Sequence, residues 1–153
     1  MVSRIISGGQ TGVDQAALDA AIAYDVSHGG WLPAGRRTEN GPLSGRYALE
    51  ELPTQSYPQR TRKNVMEADA TLIISRGPLT GGSALTATIA ARLDKPWLHI
   101  DLNVQDSGAA AESVKRWLQD CGANVLNVAG PRASSDEAIY RDAYHLVAAI
   151  LKV

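Results

Sequence analysis

The sequence predicts a three-layer α/β fold of the Rossmann-like, doubly wound kind, built on about five parallel strands. Three observations carry this expectation. Short apolar strand patterns alternate with alanine-rich helical patterns along the 153 residues, which is the signature of parallel strands joined by right-handed crossovers. Leu72, Ile73 and Ile74 form a continuous apolar run, as a strand covered by helices on both faces requires. Glycine-rich turns follow the first and the third of these strands.

Arg4-Ile5-Ile6-Ser7 reads as the first strand and ends at Gly8-Gly9. Val13 to Tyr24 reads as a helix, with Val13, Ala17, Ala20, Ala21 and Tyr24 on one face. His28 to Leu32 is a short second strand stopped by Pro33, and a long irregular loop, 33–63, follows. Asn64–Ala68 is helical and leads into the third strand, Thr71 to Ser75. Beyond the Gly77–Gly82 turn a helix runs from Ser83 to about Leu93, Lys95-Pro96 breaks it, and Trp97 to Asp101 is the fourth strand. Glu112–Cys121 is helical, with Val114, Trp117, Leu118 and Cys121 at i, i+3, i+4 and i+7 and Gly122 as its stop. Val125 to Val128 is the fifth strand. Ser134-Ser135-Asp136-Glu137 supplies a cap and an acidic first turn for a last helix that buries Ile139, Ala143, Leu146, Val147, Ile150 and Leu151. The expected organisation is one ligand-binding domain, 1–153, with strand order 2-1-3-4-5. A crevice is expected at the carboxyl ends of strands 1 and 3, where the order reverses.

Composition narrows the function. The apolar fraction of 44% and charged fraction of 20% suit a globular domain. A net charge of −1 provides no positive field for a nucleic-acid backbone. The lone Cys121 excludes an internal disulfide and a cysteine cluster for metal. Apolar runs fall short of the ~18–20 residues of a membrane span, and the N-terminus lacks signal-peptide architecture, so a cytoplasmic protein is expected.

The chemistry gathers in four places. Gly8-Gly9-Gln10-Thr11-Gly12-Val13-Asp14 lies between strand and helix. Free N–H groups and the dipole of a helix start there suit an oxyanion, although the turn is neither GxGxxG nor a P-loop. Thr11 and Asp14 fit helix capping and ligand contact equally. Thr80-Gly81-Gly82-Ser83 with Thr86 repeats this arrangement after the third strand. Two such turns at adjacent strand ends point to a phosphate-bearing ligand. The loop concentrates Arg36, Arg37, Arg46, Arg60, Arg62 and Lys63 beside Gly35; arginine forks suit bidentate oxyanion contacts. Gly130-Pro131-Arg132 also opens at a strand end and reads chiefly as a helix entry. Asp101 fits either a ligand's polar group or the ordering of its own loop, and His99 reads as a hydrogen-bonded core histidine. His28, His99 and His145 are too scattered for metal-ligand spacing, and neither a catalytic set nor a catalytic metal is predicted.

Several short motifs together carry a family resemblance: Gly8-Gly9-Gln10-Thr11-Gly12-Val13-Asp14, Gly29-Gly30-Trp31 with Pro33, Gly35-Arg36-Arg37, Arg60-Thr61 with Asn64-Val65, Asp69 to Ile73, Leu79-Thr80-Gly81-Gly82, Lys95-Pro96, and Asn127 to Arg132. In this order they resemble the molybdenum carrier family, within the lysine-decarboxylase-like (LOG-like), nucleotide-binding superfamily. The resemblance implies that molybdenum cofactor, a phosphate-bearing molybdopterin, is bound and carried without turnover by a homodimer or homotetramer. The turns, the loop and the resemblance together make Gly8, Gly9, Gln10, Thr11, Gly12, Asp14, Gly35, Arg36, Arg37, Arg60, Thr61, Asn64, Thr80, Gly81, Gly82, Ser83, Thr86 and Asp101 the candidate ligand-binding residues. Related phosphoribohydrolases carry a catalytic glutamate where this chain has Thr86, which favours holding over hydrolysis. The alternatives are a nucleotide binder or sensor and, behind it, a hydrolase using Asp14 or Asp101. For each, Gly9→Val or Gly82→Val is expected to block the ligand and leave the fold intact.

Overall fold

The structure is a computed structural model and describes residues 1–152. Its elements are β1 (Arg4–Ile6), α1 (Val13–Ala23), β2 (Ser27–Gly29), β3 (Trp31–Leu32), β4 (Arg37–Thr38), β5 (Gly41–Pro42), β6 (Glu50–Glu51), α2 (Tyr57–Glu67), β7 (Ala70–Ser75), α3 (Gly81–Arg92), β8 (Trp97–Asp101), α4 (Ser107–Cys121), β9 (Val125–Ala129) and α5 (Ile139–Leu151). Five of the strands form one all-parallel sheet. Helices α1, α4 and α5 share a large core on one face of it, and α2 pairs with α3 on the other. This is the three-layer Rossmann-like fold expected from the alternation of elements.

The strand order differs from the expectation. It is β2-β1-β9-β7-β8 rather than 2-1-3-4-5 in order of the predicted strands: the last strand, β9, inserts between the first and third. Alternation of elements determines that a crossover is right-handed but not which gap a strand fills. Burial decides the gap here. Leu126 and Val128 are fully buried, which suits a central strand, whereas Trp97 on β8 is 39% exposed and sits at the edge. If the β9–α5 unit preceded β1 in the chain, the same sheet would read 3-2-1-4-5, the order of dinucleotide-binding folds. The point of reversal is therefore between β9 and β7.

Local boundaries shift for identifiable reasons. The predicted second strand divides at Gly30, so that β2 joins the main sheet and β3 pairs with β6 instead. Helix α2 starts at Tyr57, well before Asn64, because Ser56 caps it by accepting from the Gln59 N–H and Pro58 occupies its first turn. Helix α4 likewise starts early, where Asp106 accepts from the Ala109 N–H at 2.8 Å. Gly122 ends it in the left-handed conformation, as read from the sequence. The stretch before α5 forms a 3-10 turn, Ala133–Ser135, instead of the α-helix start.

Segment 33–49 is less irregular than its sequence. Leu32, Leu43, Tyr47 and Leu49 form a small apolar cluster with Leu18 of α1, and β4 and β5 make a short antiparallel hairpin. Arg36 holds the loop from inside. Its guanidinium donates to the carbonyls of Leu43, Ser44, Tyr47 and Leu49, which satisfies backbone groups that no sheet pairs.

Candidate functional site

The order β1-β9-β7 places three strand-end turns side by side. Gly8 to Asp14 follows β1, Gly130-Pro131-Arg132 follows β9, and Arg76 to Ser83 follows β7. With one side of α2 they enclose a cleft of about 420 Å³ at the carboxyl ends of the strands. The two predicted glycine turns are thus not neighbours: the β9 turn lies between them. Gly130 makes this possible, since a Cβ there would collide with the Ile74 carbonyl and the Val13 side chain.

Of the residues singled out from the sequence, Gly8, Gln10, Asp14, Arg60, Thr61, Asn64, Thr80, Gly81, Gly82, Ser83 and Thr86 line the cleft. Gly9 does not. Its φ is +74°, and a Cβ would press into Leu32, Leu43 and Leu49. Thr11 and Gly12 serve the turn: Thr11 Oγ1 donates to Glu39 and accepts from the Ala133 N–H. Gly35 and Arg37 lie away on the loop, where the Gly35 N–H donates to Glu51 and Arg37 donates to Gln55. Arg36 is committed to its carbonyls. Asp101 orders its own loop, accepting from the Gly77 and Asn103 N–H groups at 2.8 and 2.9 Å. His99 bonds Ser75 Oγ at 2.7 Å.

Sequence reasoning missed Ser75, Arg76, Asn127 and Asp136 and undervalued Arg132, all of which line the cleft. Only Gly130-Pro131-Arg132 carried a signal, a third glycine turn at a strand end. Asn127 and Asp136 depend on β9 lying next to β7, and Ser75 and Arg76 simply end the third strand.

The two helix starts are unequal. That of α1 is closed by protein: the Val13 N–H donates to the Pro131 carbonyl and the Gln15 N–H to the Gln10 carbonyl, while the Asp14 carboxylate accepts from the Gln10 N–H. That of α3 is open. Ser83 and Ala84 donate to the Thr80 carbonyl, the Thr80 side chain makes no cap bond, and Gly81 and Gly82 are exposed with free space around them. The unpaired N–H groups of a first turn and the helix dipole favour an anion there.

Charge in the cleft is mixed. Arg60 Nη1 donates to the Gly8 carbonyl at 2.9 Å and stands 3.6 Å from Asp14 Oδ2. Arg76 is bound by Asp136 and Asp142. Arg132 is half exposed, 4.0 Å from Glu39, and shares the Tyr57 ring with Arg60. Burial pushes the Asp14 carboxyl up to about 6, against the opposing effects of Arg60 and the Gln10 N–H. Glu39 is held low, first by its bond from Ser134 Oγ and then by that from Thr11. Its carboxylate ties the β4–β5 hairpin to the rim of the cleft. Asn64 exchanges two hydrogen bonds with the Trp31 backbone and so fixes α2, with Arg60, against β3.

The donors facing the cleft are guanidinium, amide, hydroxyl and backbone N–H groups, which suit an oxyanion. Among the described residues no group of three or more His, Cys, Asp or Glu side chains is placed to hold a metal ion, and no helix is long and apolar enough to cross a membrane.

Comparison with known proteins agrees with this architecture. A crystal structure of "Putative molybdenum carrier protein" from Syntrophus aciditrophicus SB is 48% identical and superposes with a TM-score of 0.97, over 98% of this chain and 95% of that one. No curated protein matches. Residues 5–151 match the model of the circularly permutated YpsA SLOG family. A permutation is what the sheet displays, with its last strand in the position that the first holds in the 3-2-1-4-5 order. The chain belongs to the circularly permutated YpsA SLOG family.

Proposed function

We propose that the cleft holds a phosphate-bearing small molecule, molybdenum cofactor in the first place, and that the protein carries or stores it rather than transforming it. The carrying observation is the open start of α3 facing Arg60 and Arg132 across 420 Å³, enough room for a ring system with its phosphate. The 48% identical carrier protein supports the choice of cargo. Thr86 supports retention over turnover: it lies in the second turn of α3 with its hydroxyl donating to the Gly82 carbonyl, where the resembling hydrolases carry a carboxylate. The phosphate belongs at Gly81, Gly82 and Ser83, with Arg60, Thr61, Asn64, Gln10 and Asp14 around the remainder of the ligand. A cytoplasmic homo-oligomer completes this reading, and light scattering measures its size.

The test is to purify the protein from a molybdenum-replete host, measure bound molybdenum by mass spectrometry, and measure pterin fluorescence after oxidation. Both are expected in near-equal amounts, with slowed decay of added cofactor. Protein that neither contains nor protects the cofactor overturns the carrier reading.

A second reading, a nucleotide-binding or nucleotide-processing protein, is favoured by Asp14, a buried carboxyl at about 6 inside the cleft and so suited to proton transfer. It predicts release of base from a nucleoside monophosphate, lost in Asp14→Asn. No release across a panel removes the hydrolase, and no thermal shift with any nucleotide removes the binder.

A further inference from the structure

One residue of the cleft lining carries a buried donor that the protein leaves unused. Gln10 is 5% exposed and lines the cleft. Its Oε1 accepts from the Thr11 N–H at 3.1 Å and the Glu39 N–H at 2.9 Å. Two backbone donors on one atom fix which end of the amide is oxygen, so Nε2 is a donor. It is buried and has no acceptor. Arg60 Nε is in the same condition. A buried donor without a partner is costly, and two of them beside one cleft point to an acceptor supplied by a ligand. Next to Gln10 stands the opposite group: the Asp14 carboxylate, which accepts from the Gln10 N–H and also lines the cleft.

We infer that Gln10 and Asp14 together read a lactam edge on the ligand's ring, Gln10 Nε2 donating to a ring carbonyl and Asp14 accepting from the adjacent ring N–H. This rests on the reading of the cleft as a site for a phosphate-bearing heterocycle and specifies the class of heterocycle. A 6-oxopurine presents a carbonyl beside a protonated ring nitrogen, as does a 4-oxopterin. A 6-aminopurine presents the reverse, an amino donor that would meet Gln10 Nε2 and a lone pair that would meet the carboxylate. Both mismatches leave buried groups unpaired, which is how a polar site rejects an analogue.

The test is calorimetric titration of the full chain at pH 7.5 with GMP, IMP, AMP and inorganic phosphate. GMP and IMP are expected to bind about tenfold or more tightly than AMP. Gln10→Glu keeps an oxygen for the Thr11 and Glu39 N–H groups and removes the donor. It adds charge that weakens every anion alike, so the ratio of GMP to AMP affinity is the readout, and it is expected to fall to about one or invert. A merely structural role for Gln10 leaves that ratio unchanged. Equal affinities in the unaltered protein, or an unaltered ratio in Gln10→Glu, overturn the edge assignment. Retained phosphate binding in that case leaves the anion site standing, whereas no binding of any of the four probes removes the cleft reading and this inference with it.

Discussion

Asp14 is a carboxyl whose protonation the fold favours. Burial raises it from 3.8 to about 6, so the folded state binds this proton more tightly than the unfolded chain does. Its contribution to stability therefore falls as pH rises from about 4 to 6 and stays unfavourable above, by roughly 3 kcal/mol in total. Asp14→Asn removes that burden, from which the attraction of Arg60 is already subtracted, so the variant is expected to gain roughly 2–3 kcal/mol on the unaltered protein between about pH 4 and pH 8. Urea denaturation at the two pH values checks this. Sulfate, whose charge does not change in this range, is expected to bind more tightly at pH 5.5 than at pH 8, with the difference abolished in Asp14→Asn. At Gly9 the structure revises the expectation for valine. With φ at +74° and leucine side chains where the Cβ would go, Gly9→Val is expected to destabilise the fold by about 2–4 kcal/mol. Gly82 has open space around it, so Gly82→Val is expected to fold normally and lose sulfate binding. Thermal unfolding and calorimetry separate the two effects.

At the scale of elements, the asymmetry of the two helix starts matters most. Helix α1 spends the Val13 and Gln15 N–H groups on the carbonyls of Pro131 and Gln10, whereas α3 leaves those of Gly81 and Gly82 without a protein acceptor. An acid at the start of α3 should therefore help the helix and harm the site. Ser83→Asp is expected to raise stability by about 0.5 kcal/mol and to weaken sulfate binding by tenfold or more; stabilised protein with undiminished binding would place the anion elsewhere. The segment before α2 shows what an element can hide in sequence. Its prolines, glycines and arginines read as a loop around an oxyanion, yet Arg36 satisfies four carbonyls. Leu43, Tyr47 and Leu49 lie outside any helix or strand and join Leu32 and Leu18 in one cluster that no regular period announces.

For the whole molecule, the position of β9 decides both stability and site. Leu126 is fully buried in the middle of the sheet, and Trp97 lies on its edge. Leu126→Ala is expected to cost about 2–5 kcal/mol and Trp97→Ala under about 2, despite the larger side chain deleted, as urea denaturation will measure.

The sequence by itself determined the class of the fold. Helical and strand periods, caps and glycine stops are local, and burial of a two-faced parallel sheet admits few arrangements. It also determined that glycine turns stand at strand ends, because a crossover must turn there. Only the tertiary structure decided which turns meet. Strand order depends on side-chain packing between segments far apart in the chain, and the insertion of β9 brought Asn127, Arg132 and Asp136 to the cleft and closed the start of α1 with Pro131. The free amide of Gln10 was equally out of reach of the sequence, since a donor is orphaned only when every neighbour that might have accepted from it is known.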